Sequence, residues 1–192
     1  MHTLLFATHN EHKVSEIQLL IPASIHIISL DEAGIHESIP EPFETLEENA
    51  IEKSRVILER TGKDCFSEDT GLEVEALDGA PGVRSARYAG DAAHPEENIL
   101  LLLKNLEGKA NRKAQFRTII SLEWKGKRYL YEGICPGTIL TEKSGEKGFG
   151  YDPVFVPDGA RVSFAQMTPT EKSTFSHRAK ALAKLVDFLK TA

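Results

Sequence analysis

The sequence predicts an α/β protein in which a mixed β-sheet is flanked by helices. Three observations predict it. Residues 3–7 form a short, mostly apolar run that passes straight into a polar turn and a helix-period segment, the pattern of a buried strand feeding a helix. Residues 115–124 and 127–134 read as the two arms of a hairpin about Lys125-Gly126. Helical spacing then recurs in separate stretches, the last carrying Leu182, Leu185, Val186 and Leu189 on one face.

Taken in order, Val14, Ile17, Leu20 and Ile21 place an amphipathic helix after Lys13. A Glu- and Pro-rich loop covers Glu37 to Glu44. Thr45-Leu46-Glu47-Glu48 fits a capping box, opening a helix that should end near Gly62. Cys65-Phe66-Ser67 reads as a short strand that delivers Glu68 and Asp69 to its carboxyl end. Leu72 to Ala76 alternates apolar and acidic, as a half-exposed strand does. After the turn Gly79-Ala80-Pro81-Gly82, Pro95 suits the first position of a helix carrying Leu100, Leu101, Leu103 and Leu106, stopped by Gly108. Thr138 to Thr141 reads as a further strand, residues 145–150 carry no period, and Ser176 is a good N-cap for the final helix.

The chain has 192 residues, 41% hydrophobic and 27% charged, enough to bury a core as a single domain over 1–192. Its net charge of −6 argues against nucleic-acid binding through a basic surface, so a polyanionic substrate would need a local basic pocket or a bridging cation. The apolar run Leu4 to Ala7 is too short for a membrane span or signal peptide. Cys65 and Cys135 form no C-x-x-C pattern, so neither a disulfide framework nor a thiolate zinc site is expected. The expectation is a cytoplasmic protein with neither membrane nor nucleic acid as partner.

Four polar clusters carry the candidate chemistry. Thr8-His9-Asn10-Glu11-His12-Lys13 lies where a strand ends and a helix begins, where backbone N–H groups and the helix dipole face an anion and Lys13 adds a point charge. Its ordinary reading is an N-cap followed by a solvated lysine, and it lacks the glycine pattern of a P-loop. Glu68-Asp69-Thr70-Gly71 sets two acids after an apolar strand. These could ligate a divalent cation and accept a proton from water, or simply form a solvated turn. Glu41 is the candidate second acid, although Glu37 and Glu44 share its loop and spacing does not choose among them. Phe149-Gly150-Tyr151-Asp152 offers aromatic faces for a purine ring and an acid for its edge, or else plugs the core. Ser176-His177-Arg178 puts two basic-type residues at a helix N-terminus, where cations call for an anionic or carbonyl-rich partner, and Lys172 lies four residues upstream of Ser176.

In this order the four clusters, with Glu47-Glu48-Asn49-Ala50, Gly79 to Val83 and Ser85 to Gly90, resemble the dITP/ITP/XTP pyrophosphatases, enzymes of non-canonical purine nucleoside triphosphates, from about Leu4 to Leu189. The resemblance implies an elongated two-lobed fold around a long mixed sheet with the active-site cleft between the lobes, usually a homodimer. It implies Mg²⁺-dependent hydrolysis of dITP, ITP and XTP to monophosphate and pyrophosphate. On that basis Thr8, His9, Asn10, Glu11, His12 and Lys13 hold the triphosphate. Asp69 accepts the proton and ligates the metal with Glu41, and Thr70 contacts substrate. Phe149, Gly150, Tyr151, Asp152, Lys172, His177 and Arg178 hold the base. Two departures stand out: Glu68-Asp69-Thr70-Gly71 replaces the Asp-Asp-Ser-Gly of many bacterial relatives, and Pro40 to Glu44 lacks their Glu-Glu-x-Gly form.

Overall fold

The structure, a computed structural model, describes every residue except Met1, Asn10, Leu19 and Ala93, and every described side chain except those of Glu11, His12, Ser15 and Glu16. Its strands are β1 (His2–Phe6), β2 (Ile25–Ile28), β3 (Cys65–Val74), β4 (Pro81–Gly82), β5 (Lys113–Trp124), β6 (Lys127–Ile139) and β7 (Phe155–Pro157). Its helices are α1 (Glu11–Gln18), α2 (Leu46–Thr61), α3 (Pro95–Asn105), α4 (Pro169–Phe175) and α5 (His177–Thr191). The strands form one sheet in the order β2-β1-β3-β5-β6-β7, with β4 paired to β3. The sheet is mixed: β1 runs parallel to β2 and β3, whereas β6 and β7 are antiparallel.

The chain divides into two compact units, Met1–Asp69 with Ile119–Glu132 and Ala181–Ala192, and Thr70–Thr118 with Gly133–Lys180. In the first unit β1 is buried on both faces, because successive side chains alternate across a strand. Leu4 and Phe6 pack with Val14 and Ile17 of α1 and Leu182, Leu185 and Leu189 of α5. Leu5 faces the other way, with Ile57 of α2 and Cys65. In the second unit Leu72 and Val74 of β3 and Phe116 of β5 share a core with Ile99 and Leu102 of α3, Phe155 and Phe164.

Several expectations hold. Thr45 caps α2, its hydroxyl accepting from Glu48 N at 3.2 Å and donating to the Glu48 carboxylate at 2.8 Å. Gly62 ends α2 with φ +64, where a side chain would be strained. Pro95 opens α3, and the four apolar residues expected on α5 are all buried.

Others are corrected. Cys65–Val74 is one strand, so Glu68 and Asp69 lie inside it rather than at its end; Thr70 and Thr118 join their hydroxyls at 2.7 Å and carry β3 onward beside β5. The strand expected at Thr138 is the end of β6, which continues through Gly137. A Cβ there would meet Val156 O at 2.3 Å, so glycine is what lets β7 pair alongside. Helix α1 is described over Glu11–Gln18 and does not include Leu20, which lies in a turn and is exposed; the Gln18 carboxamide accepts from Ile27 N at 2.7 Å and donates to Ile25 O at 3.2 Å. Strand β2, missed in the sequence, is defined by pairing to β1. On α3 the core side is Ile99 and Leu102 with Leu106 following, whereas Leu100 is exposed. Helix α4 was also missed, although Thr168 and Glu171 form a reciprocal capping box. Among the described residues no helix is long and apolar enough to cross a membrane.

Candidate active site

In the first unit the functional side chains converge on the acids of β3. Neighbouring residues of a strand point to opposite faces, and the two acids meet different lysines. Glu68 Oε1 receives Lys13 Nζ at 2.6 Å, the Glu68 side chain being almost wholly buried. Asp69 Oδ1 receives Lys53 Nζ at 3.0 Å, and the same ammonium donates to Glu41 Oε1 at 2.7 Å. Asp69 is thus brought together with Glu41, the acid expected from the loop, by a buried lysine. Burial disfavours the charge on Lys53. The carboxylates of Asp69 and Glu41 together outweigh it and hold the ammonium above the ordinary lysine value.

The remaining first-unit candidates follow from the β1–α1 turn. Thr8 O accepts Leu30 N at 3.0 Å, which ties the turn to the segment after β2. His9 Nδ1 lies 3.0 Å from Asp31 Oδ1, and His36 approaches the same oxygen at 3.3 Å. These two rings hold the Asp31 carboxyl below its usual range. Asn10 lies outside the described residues; Glu11 and His12 begin α1, with side chains outside the described set.

Among the described residues no three His, Cys, Asp or Glu side chains form a ready metal cage. Glu41 and Asp69 nevertheless fit Mg²⁺ as a donor set. They are hard carboxylate oxygens gathered about one cationic atom, and Mg²⁺ is commonly held by one or two carboxylates with water and substrate phosphates completing its shell.

In the second unit a pocket of about 240 Å³ collects the remaining candidates: Thr70, Phe149, Gly150, Tyr151, Asp152, Lys172, His177 and Arg178 all line it. Its apolar part comes from Leu72, Ala86 and Phe116. The ring of His177 lies against that of Phe116, centroids 4.8 Å apart and planes at 14°. Phe149 is 65% exposed, an available flat face, with Lys172 Nζ 4.7 Å and the Arg178 guanidinium 5.9 Å from its ring centre. Tyr151 is buried and donates its hydroxyl to Ser85 O at 2.8 Å, and burial raises its pKa.

Asp152 is buried and accepts from Phe149 N at 2.9 Å and Lys172 Nζ at 2.5 Å. It therefore fixes the lysine and the aromatic platform together. Gly148 makes room for it: at φ +79, a Cβ would sit 2.0 Å from Asp152 Oδ2.

A family model described as the Ham1 family matches residues 4–188. The chain belongs to the Ham1 family. A protein of Flavobacterium psychrophilum named dITP/XTP pyrophosphatase is 49% identical over 97% of this chain and 98% of its own. One of Christiangramia forsetii, with the same name, is 50% identical over 97% and 98%. Among solved structures, the Staphylococcus aureus Ham1 protein matches with a TM-score of 0.94 at 36% identity, covering 98% of each chain. A HAM1 protein of Coxiella burnetii matches at 0.95 and 35%, covering both chains fully. The mixed sheet flanked by helices is thus the Ham1 architecture.

Sequence reasoning passed over Lys53 and Phe116. The signal for Lys53 was present: it falls on the stripe of Leu46, Ala50 and Ile57 that α2 buries, and a lysine on a buried face requires counter-charges. Phe116 was legible only as an inward residue of β5; that it floors a pocket depends on Leu72 and His177 arriving from elsewhere in the chain.

Proposed function

We propose that this Ham1 protein hydrolyses the triphosphates of deaminated purines, dITP, ITP and XTP or dXTP, to the nucleoside monophosphate and pyrophosphate, with Mg²⁺ as cofactor. The observation that carries the reading is the second-unit pocket, where apolar walls and the Phe149 face accompany the donors Lys172 and Arg178. Hypoxanthine and xanthine carry a carbonyl at the six-position, where adenine carries an amino donor. Donors set there would bond the carbonyl and be left unpaired by adenine, a discrimination that reaches about 10⁴-fold when the site is desolvated. The names of the relatives support dITP and XTP among these substrates. A homodimer belongs to the proposal on the family resemblance, and a cytoplasmic location on the reading of the sequence.

The chemistry assigned to the first unit is proton acceptance and phosphate binding. Glu41 and Asp69 would hold Mg²⁺, which when bound supplies positive charge against that of the triphosphate. Water attacks the α-phosphorus, its proton passes to Asp69, and the bond to the α–β bridging oxygen breaks to release pyrophosphate. Lys53 stabilises the ionised form of Asp69. Lys13 exchanges part of its contact with Glu68 for phosphate oxygens.

The test is pyrophosphate release from dITP, XTP, dATP, dGTP and dTTP with Mg²⁺ present. Release confined to dITP and XTP is expected, and Asp69→Asn should lower turnover about 10²- to 10⁴-fold while substrate binding persists. Release from another base would overturn the pocket assignment, and an unimpaired Asp69→Asn would remove Asp69 from its role.

A further inference from the structure

The loop that carries Glu41 packs Ile39 against the first-unit core before Glu41, whereas Phe43 beyond it is 41% exposed. At Phe43 the loop is gripped by the side chain of Asn49, only 2% exposed, on the first turn and a half of α2. Asn49 Oδ1 accepts from Phe43 N at 2.9 Å, and Asn49 Nδ2 donates to Phe43 O at 3.0 Å. Both polar groups of one peptide residue are thus engaged by one carboxamide, a match that a carboxylate, having no donor, does not reproduce. Asn49 and Lys53 are four residues apart, so they lie on the same face of α2, one turn from each other. One grips the loop at Phe43 and the other receives Glu41 from it.

We propose that Asn49 is a positioning residue that holds the Glu41 loop on α2 and so sets the affinity of the Glu41–Asp69 pair for a divalent cation. The proposal rests on the reading of that pair as a metal site. The physical need is clear. The Lys53–Glu41 ion pair alone is a poor anchor for the loop, because a cation arriving between the carboxylates competes with the ammonium for the same oxygens. The Asn49 bonds involve backbone and carboxamide only, so they persist whichever cation Glu41 faces. Residues that orient metal ligands typically change affinity by about 10- to 100-fold when altered.

The experiment is calorimetric titration of metal-stripped, nucleotide-free protein with MgCl₂ and MnCl₂. It compares the unaltered chain with Asn49→Ala, Asn49→Asp and Asp69→Asn, alongside amide hydrogen exchange at Phe43. Asn49→Ala should weaken cation binding about 10-fold or more and speed exchange of the Phe43 N–H, with the thermal transition still cooperative. Asn49→Asp has the same shape and an acid early in a helix, so it also serves where the alanine variant fails to fold. It retains the acceptor for Phe43 N but sets a carboxylate oxygen against Phe43 O. By electrostatics alone its added negative charge would tighten cation binding, so weakened binding identifies a displaced loop. Binding equal to or tighter than that of the unaltered chain in the Asn49 variants, with Asp69→Asn abolishing it, overturns the role of Asn49 and leaves the metal site standing. Undiminished binding in Asp69→Asn overturns the metal reading and this proposal with it.

Discussion

At the scale of single residues, the candidate site depends on charges and small groups placed where the chain can hold only them. Lys53 is one such charge; Gly148 is the complementary case, a position defined by missing atoms. Adding one methyl at Gly148 would strain a backbone at φ +79 and drive into Asp152 Oδ2, the oxygen that receives both Phe149 N and Lys172 Nζ. We therefore expect Gly148→Ala to raise KM for the proposed purine substrate at least about 10-fold while changing kcat less. It should also destabilise the fold by about 1–2 kcal/mol for the left-handed backbone alone. Steady-state kinetics with a urea titration would check both, and an unchanged KM would separate Asp152 from the base pocket. These two residues also mark how far the sequence could be read. The acids, aromatics and basic residues of the four polar clusters were legible as candidates from their types and order, whereas Lys53 and Phe116, which lie outside those clusters, were not. Gly148 was legible as part of a glycine-rich run but not as the residue that admits a carboxylate, because that depends on a side chain four positions later folding back over it.

At the scale of elements, helices α2 and α5 were the most legible, since each carries its own cap or a complete apolar stripe. Strand β2 was not, because four residues acquire a strand's identity only from the register they share with β1. Strand β3 was divided in two for a related reason: its polar middle, Glu68 to Thr70, breaks the apolar pattern while the ladder beside it does not break. Connections between elements were invisible in the same way. Arg112 is the clearest instance. Its guanidinium donates to Leu106 O just past α3 at 3.1 Å, to Ile139 O at the end of β6 at 2.7 Å and to Leu140 O at 2.5 Å. It joins three carbonyls at element ends, sharing Leu106 O with the backbone N–H of Lys109. Lysine cannot reproduce this fork. Arg112→Lys should therefore lower stability by about 1.5–3 kcal/mol, within the usual worth of hydrogen bonds to a charged group. Activity per folded molecule should be unchanged, as Arg112 does not line the pocket. A denaturant midpoint equal to that of the parent chain would show that the fork contributes nothing.

At the scale of the whole molecule, both units bury groups that must ionise when the chain unfolds in alkali. Burial pushes the Cys65 thiol up to about 12, helped by the nearby carboxylates of Glu123 and Asp64, and the Tyr131 hydroxyl to about 12. In the second unit burial pushes Cys135 up to about 11 and raises Tyr151 as well. Lys53 shares their direction, because its two carboxylate partners outweigh the cost of burying it. For every one of these groups the folded-state pKa lies above the unfolded value. The stability each contributes is complete below its unfolded pKa and is lost as pH rises through the folded one. Between those limits the unfolded chain binds fewer protons, and each proton of difference lowers stability by about 1.4 kcal/mol per pH unit. Stability should therefore fall from about pH 8.5, where free thiols begin to ionise. It should fall more steeply above about pH 10, where free tyrosines join them. Urea titrations from pH 7 to 11 provide the measurement, with Trp124 fluorescence reporting the first unit and far-ultraviolet circular dichroism reporting both. The double variant Cys65→Ala with Cys135→Ala removes both thiol protons and should flatten the profile between about pH 8.5 and 10 while leaving the later descent in place. If the parent and the double variant lose stability in parallel over that interval, the buried thiols are not its source, and the alkaline limit of the fold lies with its tyrosines and lysines.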